Sequence, residues 1–378
     1  MTLTTRLSAS FKKRFSLTLI GAPPVTKVLK VNPLQPSLET IRHAAEVIRS
    51  GGLVAFPTET VYGLGADAYS EEAVKKIYLV KGRPADNPVI VHICEVSQLE
   101  CVATKIPEDA YKLIKRMWPG PLTLILPKNP TLPSIVTSGL ESVAVRMPAH
   151  PVALQLIRAA ETPIAAPSAN LSGKPSPTRG EHVVQDFYSK IEVIIDAGET
   201  LYGVESTIVN LLSDPPMLLR PGAYPVEEVE NALGRRVVVP EFARGFGNAS
   251  KALAPGMKHR HYAPDTPVVL VEASDYSATD KLVEAVKGVI LEYKRQRLKV
   301  ALLSYLETSQ FYQGLADKLL VMGSRGNLFE VARSLFSTLR TVDSLGVDVA
   351  IIEGVEEKGL GLAVMNRLRK ASAKRIVA

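Results

Sequence analysis

Leu53-Val54-Ala55-Phe56-Pro57-Thr58-Glu59-Thr60-Val61-Tyr62-Gly63-Leu64-Gly65 is the stretch from which the rest of the chain can be laid out. Leu53 to Phe56 is a short apolar run that suits a buried strand, and Pro57 breaks it. Past the break, Thr58, Thr60 and Tyr62 offer hydroxyls at the strand's end. Ser70 then starts a helix with Glu71 and Glu72 in its first turn and Lys75 and Lys76 behind them, the order that suits the helix dipole. Just beyond its end the chain reads Lys81-Gly82-Arg83-Pro84-Ala85-Asp86-Asn87-Pro88, two fixed cations and an amide in a turn stiffened by proline. Hydroxyls beside Lys and Arg can hold both an uncharged polar group and a polyphosphate, so the two segments together read as a nucleotide site. Asn87 serves equally well as a turn residue.

Working outward, Ser37 caps a helix through Ile41, Ala45 and Ile48 that Gly51-Gly52 ends. Val89 to Ile93, Leu122 to Leu126, Val143 to Met147 and Ile164 to Ala166 read as strands, with helices over Pro107 to Met117 and Val152 to Ala160. A polar, proline-rich loop, Pro167 to Thr178, follows, and proline lowers the entropy lost in ordering it. Strands Val193 to Asp196, Ser206 to Leu211 and Met217 to Arg220 complete a first α/β domain with a twisted mixed sheet. From Glu241 the chain turns rich in Gly, Ala, Pro, Arg and His. Beyond Pro267, Val268 to Val271, Asp280 to Lys294, Val300 to Leu303, Leu328 to Leu339 and Val349 to Ile352 alternate strand and helix, as in a smaller Rossmann-like parallel α/β domain. The expected division is 1–26 basic extension, 27–240 first domain, 241–266 linker and 267–378 second domain.

With 378 residues, 46% of them hydrophobic and 22% charged, the chain has material for two ordinary globular cores. Net charge +7 favours anionic partners such as nucleotides or RNA. Cys94 and Cys101 alone build neither a disulfide framework nor a four-cysteine zinc site, which fits a reducing, cytoplasmic setting. No apolar run approaches the roughly 18 residues needed to span a bilayer, so no membrane role is expected. The first 38 residues lack Asp and Glu but carry Arg6, Lys12, Lys13, Arg14, Lys27 and Lys30. They read as a presequence, a loose basic tail or an overlong start.

Gly63-Leu64-Gly65-Ala66-Asp67-Ala68 matches a relaxed dinucleotide-binding pattern, but about 20 positions on the chain gives Lys81, Arg83 and a proline turn instead of a strand ending in an acid. No Walker loop is present, so side chains must hold any phosphates. His92 alternates within an apolar strand, as either a core histidine or a pocket-lining one. His259 and His261 are two apart with no third ligand nearby, poor spacing for a metal. Arg146 lies in the apolar strand Val143-Ala144-Val145-Arg146-Met147 and requires an anion, a carboxylate of the protein or of a substrate. The lack of acidic neighbours in sequence favours the substrate.

Lys81-x-Arg83 with Ser168-x-Asn170, preceded by Pro57-Thr58-Glu59-Thr60-Val61-Tyr62-Gly63-Leu64, resembles the YrdC family of threonylcarbamoyl-AMP synthases. The resemblance continues through Ser142 to Arg146, Gly203 to Val209, Leu219 to Gly222 and the linker Pro255 to Pro264. With the appended domain ending Gly359-Leu360-Gly361-Leu362-Ala363-Val364-Met365-Asn366-Arg367, it points to the long, two-domain branch and covers about Thr26 to the end.

The resemblance implies a nucleotidyltransferase. Threonine and bicarbonate form a carbamate, the carbamate attacks the α-phosphorus of ATP with Mg²⁺, and pyrophosphate leaves. A threonylcarbamoyl transferase complex would then modify the anticodon-adjacent adenosine of tRNA, with weak direct tRNA binding as a further expectation. By the same analogy Thr60, His92, Arg146, Ala166 through its backbone, and Ser206 would bind threonine. Arg83, Asn87, Ser142, Ser168, Asn170, Ser176, Arg220 and Tyr262 would bind ATP, with Lys81 and Arg83 as the catalytic cations. No protein-held metal is expected. Carbamoyl transfer in hydrogenase maturation is a second reading, but two cysteines cannot supply the zinc module found beside that domain. A non-enzymatic RNA-binding module is a third.

Overall fold

The computed structural model describes residues 24–247, 252–255, 257 and 261–378. The basic extension up to residue 23 and His259 lie outside the described residues. Thr26 already belongs to the first domain: its Oγ donates to Ile191 O at 2.6 Å and accepts from Ser189 N at 2.8 Å.

Ten strands build the first sheet: β1 Lys27–Lys30, β2 Val54–Phe56, β3 Gly63–Asp67, β4 Ile90–His92, β5 Leu122–Pro127, β6 Ser142–Arg146, β7 Ile164–Ala166, β8 Val193–Asp196, β9 Thr207–Asn210 and β10 Met217–Arg220. Their order is β1-β8-β2-β3-β7-β4-β6-β5-β9-β10, with parallel and antiparallel pairs mixed. Helices Leu38–Arg49 and Pro151–Ala160 pack together on one core, and Glu108–Met117 with Val226–Leu233 on another. Each buries one apolar stripe, as Ile41, Ala44, Ala45 and Ile48 do in the first.

The second sheet is wholly parallel: β11 Val268–Glu272, β12 Val300–Ser304, β13 Lys318–Val321, β14 Val349–Glu353 and β15 Lys374–Val377, in the order β13-β12-β14-β11-β15. Helix Thr279–Arg295 covers one face, and Leu328–Val342 with Leu360–Ala371 cover the other. That second core does not stop at the domain edge. Val61, Val204, Ala223 and Tyr262 of the first domain and linker are buried in the same cluster as Leu335, Phe336, Val364 and Met365. The two domains therefore share apolar packing beside the segment that follows β2.

Two local expectations change. Gly63–Asp67 is a strand antiparallel to β2, pairing Phe56 with Gly63 and Val54 with Gly65. Its glycines answer to packing: a Cβ on Gly65 would lie 2.8 Å from both Ile164 Cγ2 and Phe56 Cε1. The helix after Ser70 runs over Glu71–Lys81 and so contains Lys81, with Gly82 closing it at φ 61°. Among the described residues no helix is long and apolar enough to cross a membrane. Cys94 is buried and Cys101 exposed, both free.

Candidate active site

The carboxyl end of β2 opens into a cleft walled by the first domain and roofed by linker residues Pro255, His261 and Tyr262. Thr58 knots the turn there: its Oγ accepts from Thr60 N and Val61 N at 3.2 and 3.3 Å and donates to Val61 O at 2.6 Å. The knot holds Thr60 on the cleft wall. Opposite, the loop after β7 is tied down from three sides. Lys81 Nζ donates to Ser168 O at 2.6 Å and to Asn170 O. Ser168 Oγ donates to Asn170 Oδ1 at 2.5 Å. Arg340 of the second domain donates to Pro175 O from Nε and Nη2, at 3.1 and 2.7 Å. Linker residue Ala263 also donates its N–H to Gly173 O at 2.9 Å.

Arg83 is fixed by its own turn, Nε donating to Asn87 O at 2.9 Å and Nη2 to Pro88 O at 2.7 Å. Arg220, at the end of β10, donates from Nη2 to Ser206 O and Oγ at 2.9 and 3.1 Å, and Ser206 Oγ lies 2.7 Å from Thr123 Oγ. On the central strands, register puts His92 of β4 beside Arg146 of β6. Lys81, Arg83, Arg146, Lys174 and Arg220 all line the cleft, against Glu205 as its one carboxylate among the described residues. Such a surplus of fixed cations suits a polyphosphate.

Burial sets the protonation states. It holds the Lys81 ammonium well below the lysine range, with neighbouring Arg83 adding to the effect. It brings Arg83 down to about 10. His92 falls to about 3 through burial and then the Arg146 charge, so its ring is neutral at physiological pH. Burial alone would raise the Glu205 carboxyl, but Arg367, then Arg220 and the Ser176 hydroxyl, bring it to about 2.

Of the residues singled out from sequence, Thr60, Lys81, Arg83, His92, Arg146, Ala166, Ser168, Asn170, Ser176, Ser206, Arg220 and Tyr262 come together on this cleft. Asn87 and Ser142 are buried but do not line it. Asn87 contributes its backbone carbonyl instead, accepting from Arg83 Nε at 2.9 Å and from Tyr78 Oη at 3.2 Å. Ser142 starts β6, paired with Pro127. Arg146 needs a correction. It does have an acidic neighbour in space, Glu59, with Nη2 2.7 Å from Oε1 and both side chains 4% exposed. His261 joins the cleft wall with its ring tilted against Tyr262 at 5.6 Å.

Sequence reasoning missed Glu205 and Arg367 as a pair. Arg367, 0% exposed, comes from the second domain's helix Leu360–Ala371 and donates from Nε and Nη2 to Glu205 Oε2 at 3.0 and 2.8 Å. Ser176 Oγ donates to the other carboxylate oxygen at 2.6 Å. The same guanidinium lies 5.6 Å from the Tyr262 ring, which packs on Phe336 at 5.2 Å. An arginine that helical spacing puts on the same side as Ala363, Val364 and Ala371 was the available signal.

A mixed sheet ending in a cation-lined cleft roofed by a linker, with a parallel α/β domain that pairs an arginine with the cleft's carboxylate, defines a two-domain nucleotide-site protein. The chain belongs to the threonylcarbamoyl-AMP synthase family. The family model described as "Telomere recombination", of the Sua5, YciO and YrdC proteins, matches residues 46–222, and that for the "Threonylcarbamoyl-AMP synthase, C-terminal domain" matches 224–373. Relatives named threonylcarbamoyl-AMP synthase include one from Pyrococcus abyssi, 54% identical over 338 residues, with 89% of this chain and 95% of the relative covered. Another, from Bacillus subtilis, is 47% identical with 93% and 97% covered. The crystal structure of P. abyssi Sua5 complexed with L-threonine superposes with a TM-score of 0.86 at 51% identity, covering 93% of this chain and 99% of that one.

Proposed function

We propose that this chain is an L-threonylcarbamoyladenylate synthase, making threonylcarbamoyl-AMP and pyrophosphate from L-threonine, bicarbonate and ATP, for tRNA modification. The observation that carries the reading is the meeting in one cleft of polyphosphate-suited cations, Lys81, Arg83 and Arg220, with an amino-acid-sized wall, Thr60, His92, Arg146 and Ser206.

Arg146 anchors the threonine carboxylate through the part of its guanidinium that Glu59 and Gly120 leave open, a charge-assisted contact. Neutral His92 and the hydroxyls of Thr60 and Ser206 accept and donate around the rest of the amino acid without adding charge. The amine condenses with bicarbonate to a carbamate, losing water. A carbamate oxygen then attacks the α-phosphorus while the bond to the bridging oxygen breaks and pyrophosphate leaves. Lys81, Arg83 and Arg220 stand where charge grows on the transferring and departing groups, and no protein nucleophile takes part. Mg²⁺ would arrive on the triphosphate oxygens and share in neutralising them. The cleft's own donors are hydroxyls, amides and cations rather than the oxygen cage such an ion prefers.

The cleft holds only about 60 Å³ of free volume, whereas small-molecule sites run to roughly 300–1,000 Å³. A nucleotide therefore enters once the roof carrying Pro255, His261 and Tyr262 moves. Its return would exclude water from a short-lived carbamate. The direct test supplies ATP, Mg²⁺, labelled bicarbonate and one amino acid at a time, and follows pyrophosphate and label in an adenylate. Threonine-dependent label supports the reading. Pyrophosphate without labelled adenylate, or tRNA binding without nucleotide turnover, overturns it.

A further inference from the structure

Glu59 follows Thr58 in the knotted turn, and its own carbonyl accepts from Tyr202 N at 2.9 Å, so its backbone is held on both sides. Thr60 lines the cleft, whereas Glu59 is not part of the wall and lies behind Arg146. The Arg146 guanidinium is thus gripped from the protein side at two points, Nε on Gly120 O at 3.4 Å and Nη2 on Glu59 at 2.7 Å. The Glu59 contact joins opposite charges without hydrogen-bond alignment. Among the described residues, Nη2 and both Glu59 carboxylate oxygens have no hydrogen-bond partner.

That combination has a specific consequence. A guanidinium this deeply buried without an anion is strongly disfavoured and would be drawn toward water. Glu59 supplies that anion at Nη2, an atom itself shut off from the cleft, so the guanidinium is held from its buried side. We propose that Glu59 is a positioning residue for the amino-acid half of the reaction: it holds Arg146 from the buried side, at Nη2, and so aims the rest of the guanidinium at the substrate carboxylate. This rests on the reading of Arg146 as the threonine anchor. Glu59 touches no substrate and acts on threonine through Arg146.

The test uses full-length Glu59→Gln, Glu59→Asp, Arg146→Gln and the double variant Glu59→Gln/Arg146→Gln, with pyrophosphate release measured against threonine and against ATP. Glu59→Gln should raise the threonine KM about tenfold and leave the ATP KM within about twofold, and Glu59→Asp should recover part of the loss. The double variant should have the threonine KM of Arg146→Gln, because the Glu59 effect on threonine is routed through Arg146. An unchanged threonine KM in Glu59→Gln, equal rises for both substrates, or a further rise in the double variant overturns the proposal. If Glu59→Gln does not fold, Glu59→Asp carries the same KM comparison. Should Arg146→Gln itself leave the threonine KM unchanged, the anchor reading has failed, a result distinct from a failure of Glu59.

Discussion

Replacing Arg367 by methionine removes the cation that the second domain pairs with the cleft's carboxylate, and its effect can be worked from the geometry. Arg367 gives two hydrogen bonds to Glu205 Oε2, at 3.0 and 2.8 Å, inside a site closed to solvent. The Glu205 carboxyl sits at about 2 against an ordinary 4.5, with burial opposing the ionised form and Arg367 its largest support. At 1.36 kcal/mol per pH unit that interval is worth about 3 kcal/mol of folding free energy. The sign follows from the lower folded value: the contribution is complete above pH 4.5 and disappears as pH falls toward about 2. Independently, breaking one partner of a buried ion pair costs about 3–5 kcal/mol. The first figure is the balance of burial against Arg367, Arg220 and Ser176 together, so the loss for Arg367→Met rests on the second, about 3–5 kcal/mol at neutral pH.

The chain's single tryptophan, Trp118, lies in the first domain's core, so its fluorescence during urea unfolding reports that domain rather than the one carrying the substitution. Arg367→Met should lower the first-domain midpoint and pyrophosphate release together. Adding Glu205→Gln should restore part of the stability, because a neutral amide needs no buried cation. An unchanged midpoint in Arg367→Met, or a double variant no more stable than the single, would refute the view that this pair joins the domains.

Three further outcomes follow from other contacts. His92 sits at about 3 and is neutral when folded, but in the unfolded chain it binds a proton near pH 6.5, so its linkage makes stability fall as pH drops from 6.5 toward 3. His92→Gln should flatten a urea-midpoint series between about pH 6 and 5 by about 1.4 kcal/mol per pH unit, and an unaltered slope would mean the ring is charged in the fold. Gly65→Ala forces a methyl to within 2.8 Å of Phe56 and Ile164, and calorimetry should register about 1–3 kcal/mol of destabilisation. Arg340→Ala frees the Pro175 carbonyl and the Asp186 carboxylate, bound at 2.7 and 2.8 Å, and loosens the loop bearing Ser168 and Ser176. Initial rates should then show an ATP KM raised about fivefold with the threonine KM unmoved, and the reverse pattern would contradict the loop's assignment to ATP.

The fold was legible wherever apolar runs were bounded by strong breaks. Leu53 to Phe56 before Pro57, and Val268, Val300 and Val349 opening buried parallel strands, all appear where composition put them. It was illegible where strand residues looked like something else. Gly63–Asp67 carries two glycines because Phe56 and Ile164 crowd it, and β13 and β15 are exposed edge strands with lysines at their starts. Edge strands need no alternation of apolar and polar residues, so a period-two search passes over them.

The site divides in the same physical way. Residues that line the cleft stand out where they are polar on otherwise apolar elements, as His92 and Arg146 are, while Thr60 showed as a hydroxyl past Pro57 and Arg220 only through the family resemblance. Residues that support them were hidden, because their partners lie far off in sequence: Glu205 meets Arg367 across 162 positions, and Arg340 reaches Pro175 across 165. Glu59 was hidden for another reason, since it stands one residue from Thr60 and its meaning depends on which side of the turn it faces. The second domain's contribution was therefore invisible one residue at a time. It becomes intelligible once Tyr262, Glu205 and the loop through Pro175 are seen to rest on Phe336, Arg367 and Arg340, so that the linker's seat over the cleft and the contact between the two domains share one packing.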